Sequence, residues 1–186
     1  CQARHLPCGI RPKECMNKMK DELLRVAGVI DESIVDGPGI RFVIFTQGCP
    51  HHCAGCHNPQ THDFDGGEQV PISRLLEDIL ENPLVSGVTL SGGEPFCQPK
   101  PLAELAQELK RHGKHVMAYT GYTWEQLRGK QDADIERLLA QCDVLVDGKF
   151  IESQKDMLLR FRGSRNQRLI DVQKSLQADQ VVLAGV

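Results

Sequence analysis

Short apolar runs alternate along this chain with longer stretches of helical period, and that alternation restricts the fold more than any other feature. Val26 to Ile30 and the nearly continuous run Ile40 to Phe45 read as strands, the second of the kind buried on both faces. Between them Asp36-Gly37-Pro38-Gly39 forms a turn. Pro71 opens a helix that carries Ile72, Leu75, Leu76, Ile79 and Leu80 on one face and ends before Pro83. Val88 to Leu90 is the next strand and runs into Ser91-Gly92-Gly93. A second helix, with Leu102, Leu105, Ala106 and Leu109 at helical spacing, stops at Gly113 and leads to a strand from His115 to Tyr119. Thr123 with Gln126 makes a capping box for a short helix, Ile135, Leu138 and Leu139 mark another, and Val144 to Val146 is a strand. Arg168 to Val172 and Val181 to Leu183 are further strand candidates. Strands separated by helices in this way build a parallel sheet with crossover helices. A closed eightfold barrel needs ~250 residues, more than the 186 present. The expected fold is therefore α/β, an open partial (β/α) barrel with a mostly parallel sheet of about five or six strands.

A net charge of -3 and the lack of interleaved basic and aromatic residues argue against a nucleic-acid partner. Hydrophobic residues make up 40% and charged residues 25%, which excludes a largely disordered chain. No apolar run approaches the ~18–20 residues that span a bilayer, and no signal peptide opens the sequence, so a cytoplasmic protein without a membrane partner is expected. Cys1 to Lys18 carries Cys1, Cys8 and Cys15 without apolar periodicity. It reads as a leader, disordered or non-native, ahead of a single domain from Met19 to Val186.

The eight cysteines, clustered and without an export signal, point to metal or redox chemistry rather than to a disulfide framework. Cys49, Cys53 and Cys56 form C-x3-C-x2-C in the long irregular stretch from Gln47 to Val70, directly after the strand that ends near Thr46. Soft ligands thus fall at the carboxyl end of a parallel strand, where such sheets bind ligands. Three thiolates on one short loop hold either three irons of a 4Fe–4S cluster, leaving one iron open, or a single zinc completed by a histidine. His51, His52, His57 and His62 are all near enough in sequence to complete a zinc site. Spacing alone leaves both open. The zinc reading makes the chain an interaction module closed by His57 or His62, and gives Gly92-Gly93-Glu94 no task.

Further motifs bear on that choice. Asp36-Gly37-Pro38-Gly39-Ile40-Arg41, Phe45-Thr46-Gln47-Gly48-Cys49, Cys53, Cys56-His57-Asn58 and Ser91-Gly92-Gly93-Glu94-Pro95 follow one another in this order. In that order and spacing the chain resembles the activating enzymes of glycyl-radical enzymes, a branch of the radical S-adenosylmethionine superfamily. Tyr119-Thr120-Gly121-Tyr122, Asp143 to Phe150 and Phe161 to Gln167 look most like the activators of anaerobic ribonucleoside-triphosphate reductase. The resemblance runs from near Val26 to Val172.

The resemblance implies a 4Fe–4S cluster held by Cys49, Cys53 and Cys56, with S-adenosyl-L-methionine bound through its amino and carboxylate groups to the open iron. An electron from an external donor such as flavodoxin or ferredoxin would cleave the sulfonium. The resulting 5′-deoxyadenosyl radical would take a hydrogen from a glycine of the partner, the glycyl-radical subunit of the reductase. The reaction needs a low cluster potential, which depends on hydrogen bonds to the sulfurs, here assigned to amides around Gly48 and Gly55. The carbonyls of Gly92 and Gly93 would accept from the methionine ammonium, with Glu94 adding complementary charge or bracing the loop. Many members carry an aromatic residue where this chain has Gly55, so adenine contact passes to backbone at Gly55 and Cys56 and to the ring of His57. Other targets consistent with the motifs are pyruvate formate-lyase or a small-molecule substrate; the short chain favours the reductase.

The remaining candidates have two readings each. Arg41 is a solvated charge after a turn or, by resemblance, stands near the partner's glycine segment. Tyr119 and Tyr122 line the cofactor pocket or belong to the core, and Lys149 and Arg162 meet a ligand carboxylate or lie on the surface. Cys97 and Cys142 read as small apolar fillers, His112 and His115 as surface or capping residues.

Overall fold

The computed structural model describes residues 22–185, so the leader expected over Cys1 to Lys18 lies outside the described residues. Seven strands form one sheet: β1 (Leu23–Ser33), β2 (Arg41–Thr46), β3 (Glu68–Pro71), β4 (Gly87–Gly92), β5 (His115–Tyr119), β6 (Val144–Asp147) and β7 (Arg168–Asp171). Five helices accompany them: α1 (Ile72–Glu81), α2 (Pro99–Arg111), α3 (Trp124–Gly129), α4 (Ala133–Gln141) and α5 (Val172–Ala178). The strand order is β3-β1-β2-β4-β5-β6-β7. The central strands β2, β4, β5 and β6 are parallel, and β1, β3 and β7 join antiparallel. This is the expected open α/β architecture, with a parallel core inside a mixed sheet.

The extra strand comes from a segment read as irregular: Glu68–Pro71 pairs with Leu23–Val26 at the edge. Its alternation is too short to register in sequence. Val181 to Leu183 contributes only an isolated bridge between Ile170 and Leu183.

All the helices pack on one face of the sheet. Alternate strand residues Phe42, Ile44, Val88, Leu90, Val116, Ala118, Leu145 and Ile170 meet Ile72, Leu76, Ile79, Leu102, Leu105, Leu109, Leu138 and Leu139 in one core. Each fully buried Val, Leu, Ile or Phe side chain among them contributes roughly 1.5–3 kcal/mol. Residues of opposite parity turn to the other face, where Met117, Val144, Val146 and Leu169 form a smaller cluster with Tyr119 and Phe161. That second face is the interior of the partial barrel. No helix among the described residues is long and apolar enough to cross a membrane.

Arg41 is not a solvated charge: it is 0% exposed at the lower end of this interior. Its Nε donates to Thr89 Oγ1 at 3.0 Å, and its Nη2 donates to the carbonyls of Val88 and His115. Nη1 lies 3.2 Å from Nδ1 of His115 and reaches the Pro38 carbonyl at 3.5 Å. Thr89 Oγ1 in turn donates to the Asp36 carbonyl at 2.7 Å. The Asp36-Gly37-Pro38-Gly39 turn is thereby folded back over the sheet and tied to it. His115 is accordingly an Arg41 partner rather than a surface residue; burial and then the Arg41 charge hold its pKa below the usual imidazole value. Burial also lowers the Arg41 pKa to about 10. Arg41→Met keeps much of the side chain's volume but strips donors from buried carbonyls, so it is expected to cost about 2–4 kcal/mol, read from urea unfolding.

At the opposite end, Asp147 of β6 accepts from the Trp124 amide at 2.8 Å and so fixes the start of α3, whose predicted Thr123–Gln126 capping box is present. Arg168 of β7 bridges Asp147 and Glu125. Arg168 lowers the Glu125 pKa to about 2. A carboxylate with a depressed folded pKa stabilises above its unfolded pKa and loses that contribution as pH falls through the folded value. Glu125→Gln should therefore lower stability near neutrality by about 0.5 kcal/mol or less, because the carboxylate is largely exposed and screened. The difference should fade as thermal melts are taken from pH 4.5 down to about 2.

Candidate functional site

Because β2, β4, β5 and β6 are parallel, their carboxyl ends, Thr46, Gly92, Tyr119 and Asp147, lie along one edge. A cavity of about 650 Å³ opens there, lined by residues that follow each of these strands. Its size falls in the range of ~300–1,000 Å³ typical of small-molecule sites.

The cysteine loop leaves β2 and doubles back on itself. Gly48 N donates to Thr61 O at 2.9 Å and Cys49 N to His62 O at 3.1 Å, the reversal being made by a 3-10 turn at Pro59–Thr61. The Gln47 side-chain amide donates to the carbonyls of Gln60 and Asp63, pinning the returning arm. Cys49 is buried, Cys53 and Cys56 are half-buried, all are free thiols, and all line the cavity. Desolvation pushes the Cys49 and Cys53 thiols above their usual pKa, while backbone amides pull the other way: His51 and His52 at Cys49, Phe150 at Cys53. Asn58 N–H donates to Cys56 Sγ at 3.4 Å. Backbone N–H therefore bonds the Cys56 sulfur, and backbone amides favour the thiolate at Cys49 and Cys53. Gly48 N, one of the amides expected as donor, is instead taken by Thr61 O.

The diglycine bend at the end of β4 docks directly on this loop. Gly93 N donates to Thr46 O and Glu94 N to Gly48 O, both at 2.8 Å. A Cβ at Gly93 would collide with the Gly48 carbonyl oxygen and stand 3.0 Å from that of Thr61, so this position requires glycine. Gly92 and Gly93 line the cavity, but Glu94 is not on its wall. The Glu94 carboxylate is 0% exposed and accepts from Phe96 N, Thr120 Oγ1, Gly121 N and His51. Of the two roles expected for Glu94, the structure has the bracing one.

The other predicted residues divide. His57 is on the wall beside Phe150, ring centroids 4.8 Å apart, whereas Gly55 is exposed, off the wall and packed against Glu152. Tyr119 is on the wall, its hydroxyl donating to Phe161 O at 2.9 Å, and burial holds its pKa well above the usual phenol value. Tyr122 is off the wall, edge-on to His51. Arg162 is on the wall and Lys149 is exposed outside it. Cys142 is a buried filler, its thiol pushed up to about 12 by burial, and Cys97 is half-buried. Sequence reasoning did not single out Asp36, Phe150, Phe161 and Gln167 as wall residues, although all lie within the sequence motifs that carry the resemblance. Asn58, as donor to a sulfur, left no signal at all.

Among the described residues no three Cys, His, Asp or Glu side chains converge tightly enough to hold one metal ion. His51 is bound to Glu94, and His57 packs on Phe150. Neither ring is thus placed to complete a zinc tetrahedron, and among the described residues His62 does not converge with the cysteines either, whereas a cubane spreads its thiolates over separate irons. Three buried polar side-chain atoms among the described residues have no partner, and two of them, His62 Nε2 and Arg162 Nε, belong to cavity-lining residues. Three free soft donors, beside unspent polar groups in a nucleotide-sized cavity, fit an iron-sulfur cluster with a polar ligand at its side.

Residues 35–170 match the 4Fe-4S single cluster domain family. The anaerobic ribonucleoside-triphosphate reductase-activating protein of Escherichia coli (strain K12) is 35% identical over 145 residues, covering 72% of this chain and 90% of that protein. The chain belongs to the radical S-adenosylmethionine activating proteins. The pyruvate formate-lyase-activating enzyme of Clostridium pasteurianum is 34% identical over 148 residues, covering 76% of this chain and 59% of that enzyme. Among solved structures, QueE from Escherichia coli aligns with 62% of this chain and 58% of that one, at 19% identity and a TM-score of 0.44. The cysteine loop, the diglycine bend and the Phe161 to Gln167 segment all fall within the matched residues of this radical S-adenosylmethionine protein.

Proposed function

We propose that this chain activates an anaerobic ribonucleoside-triphosphate reductase by placing a glycyl radical on it. The observation that carries the reading is the juxtaposition of three free cysteines with the diglycine bend, at one cavity, in a chain so similar to proteins of that name. Cys49, Cys53 and Cys56 would each hold one iron of a 4Fe–4S cluster and leave one iron open to S-adenosylmethionine. When bound, these cofactors supply an electron to the sulfonium and a carbon-centred radical that takes hydrogen from the partner's glycine.

The protein's own contribution is position. The Gly48–Glu94 and Gly93–Thr46 backbone bonds lock the cysteine loop to the diglycine bend, so the ligand's methionine end and the cluster share one frame. Gly92 and Gly93 let backbone carbonyls approach an ammonium closely. Cys56 and His57, with Phe150, form the aromatic corner suited to adenine. Arg162 offers its unpartnered Nε to a carboxylate. Tyr119, Phe161 and the tied-down Asp36 turn close the interior against water. An external one-electron carrier such as flavodoxin or ferredoxin would reduce the site.

Anaerobic reconstitution, reduction and mixing with purified reductase tests this: a glycyl-radical doublet on the reductase is expected, with 5′-deoxyadenosine and methionine as products. Cofactor cleavage without a doublet on the reductase, but with one on pyruvate formate-lyase, would move the target and leave the chemistry intact.

A further inference from the structure

The bracing role of Glu94 depends on His51, and the two side chains form the most enclosed polar pair near the cavity. His51 Nε2 lies 2.7 Å from Glu94 Oε2, with side-chain exposures of 6% and 0%. An ionised carboxylate only accepts, so Nε2 carries the proton. Glu94 Oε2 also takes the Gly121 amide at 2.8 Å, and both its oxygens take Thr120 Oγ1. The imidazole occupies the space that a Cβ on Gly121 would fill, with Tyr122 edge-on at 4.5 Å. His51 is therefore held by bond and by shape between the tops of β4 and β5.

This ring sits two residues after Cys49, on the peptide whose amide, with that of His52, favours the Cys49 thiolate against burial. On the other side of Cys49 the loop is fixed by the bond from Glu94 N to Gly48 O. We infer that His51 is a positioning residue: through Glu94 it clamps the loop and fixes the Cys49 sulfur relative to the amides that follow it, and so sets the reduction potential of the site. The inference rests on the cluster reading above, since hydrogen bonds to cysteine sulfur are among the means by which proteins tune such potentials. They stabilise the more negative, reduced state, so losing them moves the potential down. Outer partners of metal ligands carry weight of this kind elsewhere.

The test is an electron-paramagnetic-resonance-monitored redox titration of the reconstituted chain and three variants. His51→Ala removes the clamp, Gly121→Ala displaces the ring while both His51 and Glu94 are retained, and His51→Gln keeps a donor near the Nε2 position. The first two are expected to shift the midpoint potential to more negative values, while His51→Gln stays close to the parent. Parental potentials in His51→Ala and Gly121→Ala would overturn the inference, as would a His51→Gln shift as large as that of His51→Ala. Should His51→Ala fail to fold, the same comparison is made between Gly121→Ala and His51→Gln: a negative shift in the first alone supports the clamp, and equal potentials overturn it. A parent chain without any cluster signal would instead overturn the functional reading.

Discussion

Replacing Cys53 by alanine should abolish 5′-deoxyadenosine formation and leave a folded protein that holds iron poorly. The thiol is half-buried at the cavity wall, on a loop whose shape is set by bonds elsewhere: Gly48 and Cys49 to the returning arm, Glu94 to Gly48. Its removal leaves those anchors in place. Loss of a partner outside the ligand shell already costs ~10–100-fold in metal affinity or activity, and loss of a ligand should exceed that. Iron analysis and product chromatography after anaerobic reconstitution read both effects. The expected signature is a thermal melt close to the parent's with no measurable cofactor cleavage. Cleavage at parental rate would remove Cys53 from the ligand set.

Gly93→Ala is expected to act on geometry rather than on ligands. The added methyl would meet two backbone carbonyls, those of Gly48 and Thr61, and neither can swing aside as a side chain end can. The diglycine bend and the cysteine loop must therefore move apart. Displacement of about 1 Å in such an arrangement costs on the order of 100-fold in rate, and forcing atoms into a packed site costs about 1–3 kcal/mol in stability. The variant should retain its iron and lose most of its turnover, the opposite pattern to Cys53→Ala. Steady-state assays alongside iron content separate the two; a Gly93→Ala chain with turnover within about twofold of the parent would show that the bend does not position the ligand.

Helices α1 to α4, the four parallel strands and the cysteine loop were legible in the sequence because each depends on local pattern, whereas the seven-residue α5 is too short to show a period. Period 3.6 in Leu102 to Leu109 and the Thr123–Gln126 box are decided within a few residues. Arg41 was not: a charge beside a turn looks solvated, and its burial is decided by Thr89 and His115, which lie 48 and 74 residues away. Glu94 was ambiguous for a related reason. The diglycine places it at the right end of β4, but whether its carboxylate faces the cavity or His51 is settled by Thr120 and Gly121 across the sheet. Gly48 N was a poor candidate for a sulfur donor because glycine composition marks where backbone is free, not which amide points at a thiol. Asn58 reaches the Cys56 sulfur only once the loop has closed.

Activity of the proposed kind depends above all on an iron left open by three thiolates and reachable from the diglycine bend. That iron is probed most directly by the electron-paramagnetic-resonance spectrum of the reduced, reconstituted chain before and after S-adenosylmethionine is added. A changed spectrum is expected on addition, and the change should be lost in Cys53→Ala. An unchanged spectrum in a fully loaded protein would contradict an open iron at this site.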